Sequence, residues 1–129
     1  MSSPYVLILD FGSQYTQLIA RRIREAKVYC EIHPFNAALK VMRDKPPSAV
    51  VLSGGPASIY GQDAPQLDPE VLSLGVPVLG ICYGLQAIAH TLGGKVDPAP
   101  QREYGRATLS SVDSQSVLLR GMTPGSLVW

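Results

Sequence analysis

Apolar residues along the chain alternate between short continuous runs and runs at helical spacing. Tyr5 to Leu9 is a continuous run ended by Asp10-Phe11-Gly12, and it reads as a strand. Ser13 stands as N-cap to a helix that puts Tyr15, Leu18, Ile19 and Ile23 on one stripe. Val28 to Ile32 predicts a second strand, and Ala37 to Asp44 a short helix stopped by Pro46 and Pro47. Ala49 to Leu52 predicts a third strand, apolar on both sides as a central parallel strand is. A Gly/Pro-containing loop follows through Pro65, then a short helix from Pro69 to near Gly75. Val76 to Ile81 predicts a fourth strand, Cys82 a sharp turn, and Tyr83 to Leu92 a helix ended by Gly93. The order βαβαβαβα implies an α/β fold: an open, largely parallel sheet with helices on both faces.

After Gly94 the pattern changes. Lys95 to Pro100 is irregular, Tyr104 to Val112 alternates like a half-buried strand, and Asp113 to Met122 reads as a loop with one helical turn. Gly125 to Trp129 begins a further apolar strand. No internal repeat, linker or low-complexity tract interrupts the 129 residues, enough for one domain with a real core.

Bulk numbers narrow the function classes. Hydrophobic content of 46% with 16% charged residues fits a globular chain. A formal net charge of +1 gives no basic excess for tracking phosphates, so nucleic acid is not an expected partner. Arg21, Arg22 and Arg24 form a dense basic group, read as the solvated face of the first helix. The longest nearly apolar run, Val76 to Ala89, is too short and too glycine-broken to span a bilayer, and the expected location is cytoplasmic. The two cysteines, Cys30 and Cys82, suggest neither a disulfide framework nor a zinc site. Cys30, inside a predicted strand, is read as a small core hydrophobe.

Cys82 is different. Gly80 and Gly84 flank it at the G-x-[S/C]-x-G spacing of a nucleophile elbow, where the strand end folds onto the first helical turn and bulkier side chains would collide. The helix start favours an anion there, here the thiolate, by up to ~2 kcal/mol. Ligand sites of open parallel sheets lie beyond the carboxyl ends of the strands, which brings together three loops: Asp10 to Ser13, Ser53 to Ser58, and Cys82 to Gly84. Gly54-Gly55-Pro56 can bring bare N–H groups close to a ligand and, with the N–H of Tyr83, form an oxyanion hole; an ordinary turn is the plainer alternative. No G-x-G-x-x-G or Walker-type loop follows the first strand, so a nucleotide cradle has no support. A general base is not evident. His90 lies eight residues along the helix from Cys82, ~12 Å away on its axis, and His33, after the second strand, reads as a surface or capping residue.

Asp10-Phe11-Gly12-Ser13-Gln14-Tyr15, Ser53-Gly54-Gly55-Pro56 and Gly80-Ile81-Cys82-Tyr83-Gly84-Leu85-Gln86, with Arg102-Glu103-Tyr104-Gly105, resemble the class I, triad-type glutamine amidotransferases. More narrowly, they resemble the amidotransferase portion of GMP synthases. The resemblance implies hydrolysis of glutamine to glutamate and ammonia through a thioester on Cys82. The ammonia then goes to an ATP-dependent synthetase module that aminates XMP to GMP. It implies oxyanion N–H groups from Gly55 and Tyr83, and glutamine contacts from Gln86, Gly54 and Gly55. No cofactor or metal is implied for the glutaminase half, and ATP and Mg2+ only for the synthetase.

The partners implied are glutamine and that synthetase module, the parent protein being a candidate homodimer. The triad's His and Glu, two residues apart on a later segment of the family, match nothing here. Residues 1–129 are therefore expected to be the amino-terminal part of an amidotransferase domain, inactive alone, with closing strands and synthetase encoded beyond Trp129. Two other readings share the elbow: a cysteine hydrolase of the DJ-1/PfpI kind, against which Gln86 and the Ser53 to Pro56 loop count, and a non-enzymatic flavodoxin-like module.

Overall fold

A computed structural model describes residues 4–55, 65–97 and 106–128. The chain divides into two compact units, residues 1–96 and 97–129.

The first unit holds four parallel strands: β1 (Val6–Asp10), β2 (Cys30–Pro34), β3 (Ala49–Leu52) and β4 (Val78–Gly80), in the order β2-β1-β3-β4. The register aligns Leu9 with Leu52 and Leu52 with Gly80, so the carboxyl ends of β1, β3 and β4 stand level. The chain steps from β1 outward to β2, then crosses back to β3 on the other side of β1. The β1 and β3 loops therefore leave the sheet side by side at a topological switch point.

Side-chain alternation along β1 divides the core. Tyr5, Leu7 and Leu9 join Val50 and Leu52 on one face, against α2 (Ala38–Asp44), the 3-10 turn Pro69–Ser73, and α3 (Tyr83–Thr91). Ile8 and Val51 face the other way, where Ala20, Ile19 and Ile23 of α1 (Thr16–Glu25) meet Cys30. Helices thus cover both faces, as the alternation of elements implies.

Several boundaries move. β3 occupies the predicted residues, whereas β2 lies two residues later than the apolar run suggests, and Val28 and Tyr29 are exposed. Lys27, at φ 63, turns the chain after α1, and Val6 N–H bonds to the carbonyl of Tyr29, which fixes where pairing with β1 begins. α1 starts at Thr16, because Asp10 Oδ1 accepts from Gly12 N–H (2.8 Å) and from Thr16 Oγ1 (3.1 Å), holding residues 11–15 in turns. Ser13 does not cap the helix as predicted; its Oγ accepts from Tyr15 N–H, and Tyr15 takes the cap position. The inward stripe is accordingly Thr16 and Ala20, buried, with Ile19 and Ile23 half-buried beside them, while Tyr15 and Leu18 are exposed. The segment from Pro69 is a 3-10 turn, started by Asp68, whose side chain accepts from Glu70 N–H.

In the second unit, β5 (Ala107–Thr108) pairs antiparallel with β6 (Leu127–Val128). Both lie inside the alternating and terminal runs that predicted strands, and both are shorter. Tyr104, Gly105 and Trp129 of those runs, Arg102 and Glu103, and Pro56 to Ser58 of the third-strand loop lie outside the described residues.

Candidate active site

Cys82 sits where β4 breaks into α3, at φ 53 and ψ −113, one of two non-glycine residues with positive φ among the described residues. Such a backbone costs of order 1–3 kcal/mol and persists only where its surroundings hold it. Here they do. Ile81 N–H donates to the carbonyl of Leu52 at 3.0 Å, and the Cys82 carbonyl accepts from Leu85 and Gln86 as the first turn of α3. A Cβ on Gly80 would lie 2.7 Å from the backbone of Gly84, and one on Gly84 would lie 2.4 Å from the Leu52 oxygen. The steric reason for the two flanking glycines is therefore present in the molecule, and Cys82 is exposed at the tip.

The β3 loop lies against this tip. A Cβ on Gly54 would come 3.1 Å from Cys82 Cβ, and one on Gly55 would come 2.5 Å from the carbonyl oxygen of Phe11, so the glycine backbone is wedged between the β1 loop and the elbow. Among the described residues, the N–H groups of Gly54, Gly55 and Tyr83 make no backbone hydrogen bond. Ser53, fully buried, joins the loops: Phe11 N–H donates to its Oγ at 3.1 Å, and the hydroxyl donates to the Gly54 carbonyl at 3.1 Å.

An open pocket of about 450 Å3 lies over these groups, walled by Gly12, Ser13, Gln14, Tyr15, Gly54, Gly55 and Cys82. Phe11 stacks on Phe35 at 5.4 Å and meets the Tyr83 ring at 5.6 Å. Tyr83 is buried, its hydroxyl donates to the carbonyl of Pro65, and burial pushes that hydroxyl's pKa above the ordinary value. The side chain of Tyr83 thus serves the core, and only its main chain is turned to the elbow.

Of the sequence-predicted site residues, Gly54, Gly55 and Cys82 share the pocket wall, with Tyr83 directly after Cys82 in the chain. Gln86 lies one turn into α3, half-buried and outside that wall. Gln14 and Tyr15 also line the pocket; Tyr15, expected on the core stripe, is 59% exposed. Their position just past the carboxyl end of β1 was the available signal. Neither histidine lines the pocket: His33 is inside β2, an outermost strand, its Nε2 3.1 Å from Glu31, and His90 is near the end of α3. Among the described residues no cluster of His, Cys, Asp or Glu is arranged to hold a metal, and no helix is long and apolar enough to cross a membrane.

A parallel sheet with a strained cysteine elbow facing a di-glycine loop defines a class, and sequence comparison gives the same one. The chain belongs to the class I glutamine amidotransferases, whose family pattern matches residues 7–129. Among its relatives is a GMP synthase (glutamine-hydrolyzing) of Symbiobacterium thermophilum, 52% identical over 124 residues, covering 96% of this chain and 24% of the relative. The corresponding protein of Nitrosococcus oceani is 63% identical over 102 residues, covering 79% of this chain and 20% of its own. A solved structure from Thermoplasma acidophilum, described as that of a GMP synthase subunit, superposes with a TM-score of 0.78 at 27% identity, covering 100% of this chain and 64% of that one. The chain spans about a quarter of the length of the curated relatives it matches.

Proposed function

We propose that this chain carries the nucleophile and oxyanion side of the glutaminase site of a GMP synthase. The sulfur of Cys82 attacks the side-chain amide carbon of glutamine, forming a C–S bond and a tetrahedral oxyanion. Collapse breaks the C–N bond, the nitrogen takes up a proton and leaves as ammonia, and the γ-glutamyl group remains as a thioester. Water then attacks the same carbon, the C–S bond breaks, and glutamate leaves. The N–H groups of Gly55 and Tyr83 receive the oxyanion in both tetrahedral steps.

Gln86, Gly54 and Gly55 hold the substrate's polar groups. Gln86 is four residues from Cys82, on its side of the helix. The acid–base role falls to the His and Glu that the family places on a later segment. Ammonia is used by a synthetase module, with ATP and Mg2+, to aminate XMP; the glutaminase steps themselves need no cofactor.

The observation that carries this reading is the exposed Cys82 at positive φ, packed against Gly54 in one pocket. The test is selective labelling of the sulfur. A chloroketone shaped like glutamine is expected to modify Cys82 faster than iodoacetamide does, L-glutamine to slow it, and Cys82→Ala to abolish it, all read by intact mass. Equal rates for the two reagents with no protection by L-glutamine would refute the proposal.

A further inference from the structure

The geometry points to Ser53 as the positioning residue that aims the Gly55 N–H at the carbonyl attacked by Cys82. The inference rests on the glutaminase reading and adds a residue to it.

Ser53 is 0% exposed, and its Oγ lies 3.1 Å from both Phe11 N and the Gly54 oxygen. A backbone N–H can only donate and a carbonyl can only accept, so the roles are fixed: the hydroxyl accepts from Phe11 and gives its single proton to Gly54. The Gly54 carbonyl and the Gly55 N–H belong to one peptide unit, which is planar and trans, as every peptide bond of the described residues is. They therefore point in opposite directions. With the carbonyl held inward on a buried hydroxyl, the N–H is turned outward, on the side where Gly54 and Gly55 line the pocket.

Among the described residues, no other hydrogen bond holds that peptide unit. Glycines on both sides of the peptide unit leave its rotation almost unhindered by side chains, and among the described residues the Gly55 N–H has no backbone acceptor of its own. The second Ser53 bond, to Phe11, keys the anchor to the β1 loop, whose carbonyl oxygen sits where a Gly55 side chain would stand. Ser53 N–H donates to the carbonyl of Leu9 at 3.0 Å, so the anchor itself continues the sheet. Ser53 touches no reacting atom. It acts through the peptide that follows it.

The test separates acyl transfer, which passes through an oxyanion, from alkylation, which does not. The γ-glutamyl thioester of thiophenol reacts when the Cys82 sulfur attacks its carbonyl, the C–S bond to thiophenol breaks, and thiophenolate is released; iodoacetamide reacts at a saturated carbon by loss of iodide. Rates are taken above those of Cys82→Ala. Loss of one oxyanion donor costs about 10²–10³ in rate, and a donor left free to rotate loses part of that. Ser53→Ala is therefore expected to slow Cys82 acylation at least about tenfold while alkylation stays within about twofold and Cys30 stays unlabelled. Should Ser53→Ala lose its fold, Ser53→Cys, of similar size with a weak S–H donor, is expected to shift the same ratio in the same direction. Acylation and alkylation both unchanged in a folded variant would overturn the role of Ser53. A wild-type chain that does not prefer the γ-glutamyl over the acetyl thioester would overturn the glutaminase reading itself, so the two failures are distinct.

Discussion

The carbonyl oxygen of Leu52 stands 2.4 Å from the point a Cβ on Gly84 would occupy, and the same oxygen accepts the N–H of Ile81 at 3.0 Å. One atom of β3 thus supports both arms of the elbow. Gly84→Ala must move α3 or give up the Ile81 bond, and overpacking of this kind costs about 1–3 kcal/mol. Denaturant unfolding should show a lowered midpoint with little change in slope, and a midpoint equal to wild type would mean that the contact yields without cost.

Strain at Cys82 makes the opposite prediction for its own position. Glycine adopts φ 53 freely, so Cys82→Gly relieves the strain of the elbow while adding backbone entropy to the unfolded chain. The net expectation is a gain of about 1 kcal/mol in unfolding free energy, with all Cys82-dependent labelling lost. A destabilised Cys82→Gly would show that the strain at the elbow is smaller than the entropy that glycine adds to the unfolded chain.

Tyr83 provides the separation of side chain from main chain. Tyr83→Phe deletes the hydrogen bond to Pro65 and should cost about 1 kcal/mol of stability. Labelling of Cys82 by the glutamine-shaped reagent should remain within about twofold of wild type, since the proposed donor is the N–H. A tenfold loss in a folded variant would assign the hydroxyl a part in the chemistry.

Acid stability should depend on Glu31, on the outermost strand β2 and outside the pocket wall. Its hydrogen bond to Lys45 (2.7 Å), then that to His33 (3.1 Å), lowers its pKa from 4.5 to about 2, against the opposing effect of burial. The folded value is below the unfolded one, so the stabilisation is complete above about pH 4.5 and is lost as pH falls toward about 2. Glu31→Gln should flatten the pH dependence of the unfolding midpoint across that window and leave Cys82 labelling at neutral pH unchanged. An equally steep acid limb in Glu31→Gln would locate the acid sensitivity elsewhere.

The parts of this molecule that could be read from its sequence are those where backbone sterics dictate residue type. Ala49 to Leu52, apolar on both sides, fell on β3 to the residue, and Gly80 and Gly84 placed the elbow around Cys82 because nothing larger than glycine fits at either position. Helix α1 was harder. Its stripe runs through Thr16 and Ala20, a hydroxyl and a methyl, and periodicity weighted by hydrophobicity selects the larger Tyr15 and Leu18 one step around the helix. Ala20 is buried because its small side chain admits the Cys30 thiol, which donates to the Ala20 carbonyl at 3.6 Å. Ser53 was legible only as a letter in a motif. Its partner Phe11 is 42 residues away, and a bond of that sequence separation has no local signature.

The mutually packed rings of Phe11, Phe35 and Tyr83 come from the three connections after β1, β2 and β4. A slab shared in this way makes the loops stand or fall together, for none can swing aside without unstacking a ring against its neighbour. On warming, chemical reactivity at the elbow and the near-ultraviolet aromatic signal should therefore disappear in a single step.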